Sequence, residues 1–537
     1  MNPKFISGPP GTGKTHKWLK EKYAELLKKY SWDRIVVLSH TNVAAAEIIE
    51  AVKKLPELQN VSKEDLEEQI CTIHSYCRGL YVHVTKFDKE DHRSLLMSQP
   101  LMQRWKKKSW DKHPLYEFTS QAHGKEMSFD DYWKICDPDS FKPYNLSMLK
   151  HLKDAYDKHR IDPETGKILK LSFEDMIDNF LFLAKEPEDI DALIVDEAQD
   201  CNKPQIKALH KMATNIKDNN YYFVGDADQT IFEYSGSDPN YFHTLSKDAE
   251  ELEEGLRCGD TINKICKNII APIWRHYNYN RVWKPVEGIV GKSHWMPSFS
   301  KDSNATEVLL NRIQNTEETF LFTFRGKPSD DHIKNFFYRH GIDFAQVGNS
   351  PHISRKVFRC FKTWDKFLND KVSLQQIKEY WPLMGVRGEK GVKVNKMGEV
   401  KSLTDLVNKD YNVEDIISKG LLKPEVKGLK KFEQVLTDPD VTAKVPLIKK
   451  ILINGTNVEE APRVEYGNIH QIKGLTRDNS IVDLTITREE QHFFEGLRLA
   501  YVAYSRARIN CWTVASRMPR LSLGRIENRK GILELNK

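Results

Sequence analysis

Short apolar runs punctuate this chain, each closed by a cluster of glycine or polar residues. Phe5-Ile6-Ser7, Arg34-Ile35-Val36-Val37-Leu38, Asp191-Ala192-Leu193-Ile194-Val195 and Tyr221-Tyr222-Phe223-Val224 are β-rich runs. Near-continuous apolarity of this kind marks strands covered on both faces of a parallel sheet. After the first run, Leu19, Tyr23 and Leu26 fall on one face at helical spacing. A second group, Phe320-Leu321-Phe322-Thr323-Phe324, Ser480-Ile481-Val482-Asp483-Leu484 and Cys511-Trp512-Thr513-Val514-Ala515, predicts a second sheet. Two stretches lack strand alternation. One lies between Ser75 and Phe173, and the other, from about 361 to 460, is Lys-rich and mostly helical in pattern, punctuated at Gly385-Val386-Arg387-Gly388-Glu389-Lys390-Gly391.

Composition narrows the class. At roughly 100–200 residues per domain, 537 residues make three or four domains and exclude a peptide hormone or small binding module. Charged residues are 29% of the chain and hydrophobic ones 39%, which fits a soluble globular protein and argues against long disorder. The net charge is only +6, so a polyanion must be gripped by local patches. No apolar run reaches the roughly 18 residues of a membrane helix, and the N-terminus enters a folding motif at once, leaving no room for a signal peptide. The 8 cysteines include no C-x-x-C pair and read as reduced thiols of a cytoplasmic protein.

The chemistry sits at the ends of the runs. Gly8-Pro9-Pro10-Gly11-Thr12-Gly13-Lys14-Thr15 matches G-x-x-x-x-G-K-[ST] between a strand and a helix, the context a phosphate-binding loop requires. Its backbone N–H groups wrap phosphates, Lys14 reaches the β- and γ-phosphates, and the Thr15 hydroxyl suits Mg²⁺, so ATP and Mg²⁺ are the expected cofactors. Asp196-Glu197-Ala198-Gln199-Asp200 closes the third run. Adjacent carboxylates there face the ligand crevice of a parallel sheet, with Asp196 placed to hold the metal and Glu197 to act as general base. Gly225-Asp226-Ala227-Asp228-Gln229-Thr230 closes the fourth, and Gln229 suits sensing the γ-phosphate or its water.

These segments, in this order, resemble the superfamily 1 DNA helicases of the UvrD and Rep type. Ser39-His40-Thr41-Asn42 looks like the family's first DNA-contacting motif, Thr72-Ile73-His74-Ser75 like its T-F-H-S motif, and Leu171-Ser172-Phe173-Glu174-Asp175 like the acidic-aromatic segment before the carboxylate strand. Glu253-Glu254-Gly255-Leu256-Arg257 is similar to the fourth motif, whose Arg touches the γ-phosphate. His470-Gln471-Ile472-Lys473-Gly474-Leu475 is similar to the fifth, and Arg498 to Arg508 to the sixth, with Arg506 at the arginine-finger position. The resemblance implies an α/β fold of two RecA-like P-loop motor domains with parallel sheets, each carrying an inserted, mainly helical subdomain. It places the first motor domain at 1–80 and 171–250 with its insert at 81–170, and the second at 251–360 and 461–537 with its insert at 361–460. Arg257 and Arg506 are then expected on the second domain, closing on Lys14 and Glu197 when ATP binds. It further implies that His40, Thr41, Asn42, His74, Tyr234 and His470 contact nucleic acid.

The implied function is an ATP-dependent DNA helicase or translocase running 3′ to 5′ on single-stranded DNA in replication, repair or recombination, with single-stranded and tailed duplex DNA as partners. A nucleic-acid-stimulated ATPase switch, a protein-stripping translocase and an RNA motor are the alternatives. The cluster Arg104-Trp105-Lys106-Lys107-Lys108-Ser109-Trp110 suits a phosphate backbone with stacked bases, and equally a solvated helix face anchored by its tryptophans; it is not counted in the site. Four departures stand out: no adenine-reading Gln precedes the loop, Leu256 replaces the fourth motif's Tyr, Tyr234-Ser235-Gly236 replaces aromatic-Arg-Gly, and Thr476 replaces an acidic residue.

Overall fold

In the computed structural model the first four apolar runs become β1 (Lys4–Ser7), β2 (Ile35–Ser39), β4 (Ala192–Val195) and β5 (Tyr221–Gly225). The residues described are 2–80, 114–160, 172–279, 281–387, 393–395, 408–419, 422, 424–483 and 493–514. The Arg104–Trp110 cluster, Gly388 to Gly391, Leu171, Leu484 and Ala515 lie outside them. By contact the chain divides into two units, Met1–Ile289 with Gln491–Ser505, and Val290–Glu490 with Arg506–Lys537.

The first unit holds a six-stranded parallel sheet in the order β3-β2-β4-β5-β1-β6, with β3 at Ile70–Thr72 and β6 at Glu250–Glu251. Alternate side chains feed two cores. Val36, Leu38, Leu193, Val195, Phe5 and Phe223 enter one, while Ile35, Val37, Ile194, Ile6 and Val224 enter the other with Leu19, Tyr23 and Leu26. This double burial explains why the runs lack alternation. The stretch 114–160 is mostly helical and builds its own core around Phe118, which meets Phe129, Tyr132, Trp133 and Phe141.

The second unit holds another six-stranded parallel sheet, β7-β16-β15-β8-β14-β9, comprising Ser293–Met296, Ala507–Val514, Arg477–Asp483, Phe320–Phe324, Val464–Asn468 and Phe344–Gln346. Its core continues through Phe358, Trp364, Phe367 and Tyr380 into the helices Arg355–Asn369 and Leu374–Met384.

The division corrects two expected boundaries. Residues 251–289 belong to the first unit, because the helix Asp260–His276 buries Ile262, Ile265, Cys266, Ile269 and Ile273 there and the following Arg281 pairs with Asp226 and Asp228. The helix Phe493–Tyr504 also returns to it, packing on Asp260–His276, with Tyr501 edge-on to Trp283 at 5.9 Å.

Candidate active site

Three loops leave the C-terminal ends of the neighbouring strands β4, β5 and β1, the edge where parallel sheets bind ligands. The loop after β1 turns through Gly11 and Gly13 at φ 74° and 82°, a left-handed geometry that L side chains rarely adopt. A wide turn over Lys14–Leu19 then leads into the helix Lys20–Leu27. Thr12 Oγ1 donates to Pro9 O at 2.8 Å. Lys14 Nζ donates to Gly8 O at 2.6 Å and Pro9 O at 3.2 Å, folded over the loop it serves. Burial pulls the Lys14 ammonium below its ordinary pKa against the fields of Asp226, Glu197 and Asp196.

Thr15 Oγ1 donates to Asp196 Oδ2 at 2.9 Å across 181 residues of sequence. Asp196 Oδ1 is buried with no hydrogen-bond partner among the described residues. Burial and the adjacent Glu197 raise the Asp196 pKa, outweighing the Thr15 hydrogen bond and the charge of Lys14. Hard oxygen donors, one of them orphaned, fit Mg²⁺ held partly by phosphate oxygens. No cluster of three or more His, Cys, Asp or Glu forms another metal site among the described residues. Glu197 sits at φ 52°, ψ 38°, unusual for a non-glycine residue, and its field reaches Lys14 and Arg257. Gln199 Nε2 donates to Glu197 Oε2, and Gln199 Oε1 accepts from the Asp226 N–H at 3.1 Å. Gln229 Nε2 donates to Asp226 Oδ2 at 2.7 Å.

Arg257 corrects its expected location. It lies in the first unit against the phosphate loop: Leu256 N–H donates to Gly11 O at 2.7 Å, and a Cβ on Gly11 would stand 2.3 Å from Arg257 Cβ. Arg506 lies in the second unit just before β16 turns into the sheet, buried, with Nη1 donating to Leu475 O at 3.5 Å. The fifth- and sixth-motif segments thus meet there. His470 follows β14 in the same unit.

The nucleic-acid candidates of the first unit also follow strand ends. Thr41 caps the helix Asn42–Val52, its Oγ1 accepting from Ala44 N–H at 3.2 Å, which leaves Asn42 exposed in the first turn. His40 lies 5.2 Å from Phe232, and Phe232 lies 5.8 Å from Tyr234, an aromatic row whose last member is 46% exposed. His74 is edge-on to Phe173 at 5.3 Å. Sequence reasoning passed over Ser7, Gln199, Asp226, Asp228 and Arg281. The signal for the last was indirect: two carboxylates closing an apolar strand need a buried cation, and nothing in the sequence says which one.

The loop, its lysine and the carboxylate paired with Thr15 define the class, a P-loop nucleotide-binding protein with two parallel sheets. Residues 1–250 match the family model of the UvrD/REP helicase N-terminal domain. The chain is 24% identical over 386 residues to the ATP-dependent DNA helicase PcrA of Leuconostoc citreum, covering 66% of this chain and 49% of that protein. It is 23% identical over 414 residues to PcrA of Staphylococcus aureus and 22% over 412 residues to PcrA of Staphylococcus epidermidis, in each case 70% of this chain and 53% of the relative. The first part of the chain is thus similar to the UvrD/REP helicases, and the chain spans about half the length of the curated relatives it matches.

Proposed function

We propose that this chain is an ATP-dependent DNA helicase or translocase that moves 3′ to 5′ on single-stranded DNA and acts on single-stranded and tailed duplex substrates. The observation that carries the reading is the Thr15–Asp196 pair at 2.9 Å beside Lys14 and Glu197. The names of the PcrA relatives support DNA as the substrate. Thr15 and Asp196 would hold Mg²⁺, which when bound offsets phosphate charge. Lys14 binds the β- and γ-phosphates and the loop N–H groups orient them. Glu197 accepts a proton from the water that attacks the γ-phosphorus, Gln229 orients that water, and the bond to the ADP oxygen breaks. Arg257 and Arg506 neutralise the charge that develops. Tyr234, His40, Asn42, His74 and His470 take the DNA, with Tyr234 stacking on a base. Among the described residues no helix is long and apolar enough to cross a membrane, and we place the protein in the cytoplasm, in replication, repair or recombination.

One observation favours a second reading, a nucleic-acid-stimulated switch or protein-stripping translocase. Ser235, where the family has Arg, is tied into its own turn, its Oγ donating to Phe232 O at 2.8 Å and its carbonyl accepting from Asn202 Nδ2 at 3.4 Å. ATPase rates with and without single-stranded DNA or RNA test the motor and its substrate. Strand displacement on duplexes with a 3′ or a 5′ tail then tests unwinding and direction. Turnover indifferent to nucleic acid would remove the motor reading, and stimulation without displacement would select the second.

A further inference from the structure

The Arg281 side chain is 1% exposed and carries contacts to four groups of the nucleotide site. Nη1 donates to Asp226 Oδ1 at 2.5 Å and Asp228 Oδ2 at 3.1 Å, Nη2 to Ser7 Oγ at 2.6 Å, and Nε to Glu251 Oε2 at 3.1 Å. Ser7 is the last residue before the phosphate loop. Asp226 is the first after β5 and touches two amide side chains of the site: its Oδ2 accepts from Gln229 Nε2, and its N–H donates to Gln199, which holds Glu197. Burial alone would protonate Asp226, but the charges of Arg281 and Lys14 outweigh it and hold the carboxyl below its ordinary pKa. An ionised carboxylate only accepts hydrogen bonds, so the end of Gln229 facing it is the NH₂ group. The amide oxygen is then the end that accepts from a water.

We propose that Arg281 is a positioning residue for hydrolysis: it clamps Asp226, and the clamped carboxylate fixes the Gln229 carboxamide nitrogen-inward, so that its oxygen orients the attacking water. The planar guanidinium suits this because it spans several acceptors at fixed angles, which a lysine ammonium on a flexible stem does not. The relay rests on the part assigned above to Gln229 in hydrolysis.

A double-mutant cycle on the full chain tests it, reading DNA-stimulated kcat and the KM for ATP. Gln229→Ala is expected to lower kcat. Arg281→Lys is expected to lower kcat about tenfold with KM within about twofold, and to cost less than about twofold more in the Gln229→Ala background. Asp226→Asn, which keeps the shape and loses the charge, is expected to repeat that pattern and carries the cycle if Arg281→Lys does not fold. Equal losses in both backgrounds, or a rise in KM alone, would overturn the relay while leaving the role of Gln229 standing. A Gln229→Ala protein with wild-type kcat would overturn that role and the relay together.

Discussion

Arg257 lies against Gly11, so close that a methyl group on the glycine would stand 2.3 Å from the arginine's Cβ. The main chain fastens the approach, since Leu256 N–H donates to Gly11 O at 2.7 Å. On the function proposed above this arginine stabilises charge at the γ-phosphate, and arginines in that role are worth about 10³–10⁵ in rate. Arg257→Ala is therefore expected to lower DNA-stimulated kcat by orders of magnitude, as is Arg506→Ala. Steady-state ATPase assays read both, and a loss of only a fewfold would leave the residue concerned a packing role only.

Lys14 and Glu197 should fail differently. Lys14→Ala removes the cation on the loop carbonyls and is expected to abolish turnover while leaving single-stranded DNA binding largely intact, because His40, Asn42 and Tyr234 are other residues on other loops. Glu197→Gln keeps the shape and loses the base, so nucleotide binding should persist while turnover falls by about 10²–10⁴. Filter binding of ATP together with phosphate release separates the two. Near wild-type turnover in the glutamine variant would move the base elsewhere.

How much of this was legible beforehand follows from what each signal depends on. The P-loop, Asp196, Glu197 and Gln229 are local patterns tied to strand ends, and β1, β4 and β5 carry them on adjacent strands. The runs that become β1, β2, β4, β5, β8, β15 and β16 were readable because double burial makes a strand largely apolar, whereas β14, Val464-Glu465-Tyr466-Gly467-Asn468, carries polar residues and was not. The place of Arg257 was not, because sequence distance says nothing about which unit the segment 251–289 joins. That is decided by the apolar face of Asp260–His276 and by the ion pairs of Arg281. Arg281 itself lies in no motif, and only the fold brings it to Asp226.

Tyr234 ends the aromatic row that begins at His40 and is 46% exposed. Stacking of a base on such a ring contributes about 1–3 kcal/mol. Tyr234→Ala is expected to weaken single-stranded DNA binding and to uncouple ATP use from strand displacement more than it lowers basal ATPase. A tyrosine that only packs the turn would instead lower the melting temperature and reduce both activities together.

The tie between the helix Pro114–Gly124 and the helix Phe173–Leu183 should depend on pH. His123 Nε2 lies 2.9 Å from Asp178 Oδ1. Burial lowers the His123 pKa, but Asp178, Glu174 and Asp175 together raise it above its ordinary value. A raised folded-state pKa means stability that is fully present below the unfolded pKa of about 6.5 and is lost as pH rises through the folded value. Asp178 is 39% exposed, so solvent screening holds the effect below about 1 kcal/mol. Thermal unfolding should show Asp178→Asn destabilising more at acidic than at alkaline pH, and an equal loss at both would rule the charged pair out.

Position 256, which bears on base selectivity, is the last point on which the chain departs from the pattern it resembles. Leu256 stands where the resemblance places a stacking Tyr, and it is 58% exposed. It lies over the phosphate loop, its Cδ1 2.9 Å from where a Cβ on Gly13 would stand. A site that hydrogen-bonds a particular base rejects competitors by about 10⁴–10⁵, whereas apolar contact gives about 10–200-fold. Lys14, Thr15, Arg257 and Arg506 address the triphosphate, which ATP, GTP and dATP share. GTP and dATP are therefore expected to support DNA-stimulated turnover with kcat/KM within about two orders of magnitude of ATP. Competition kinetics with the three nucleotides measure this directly. A preference for ATP over GTP beyond about a thousandfold would mean that another residue of the first unit reads the adenine edge, and would return Leu256 to a packing role.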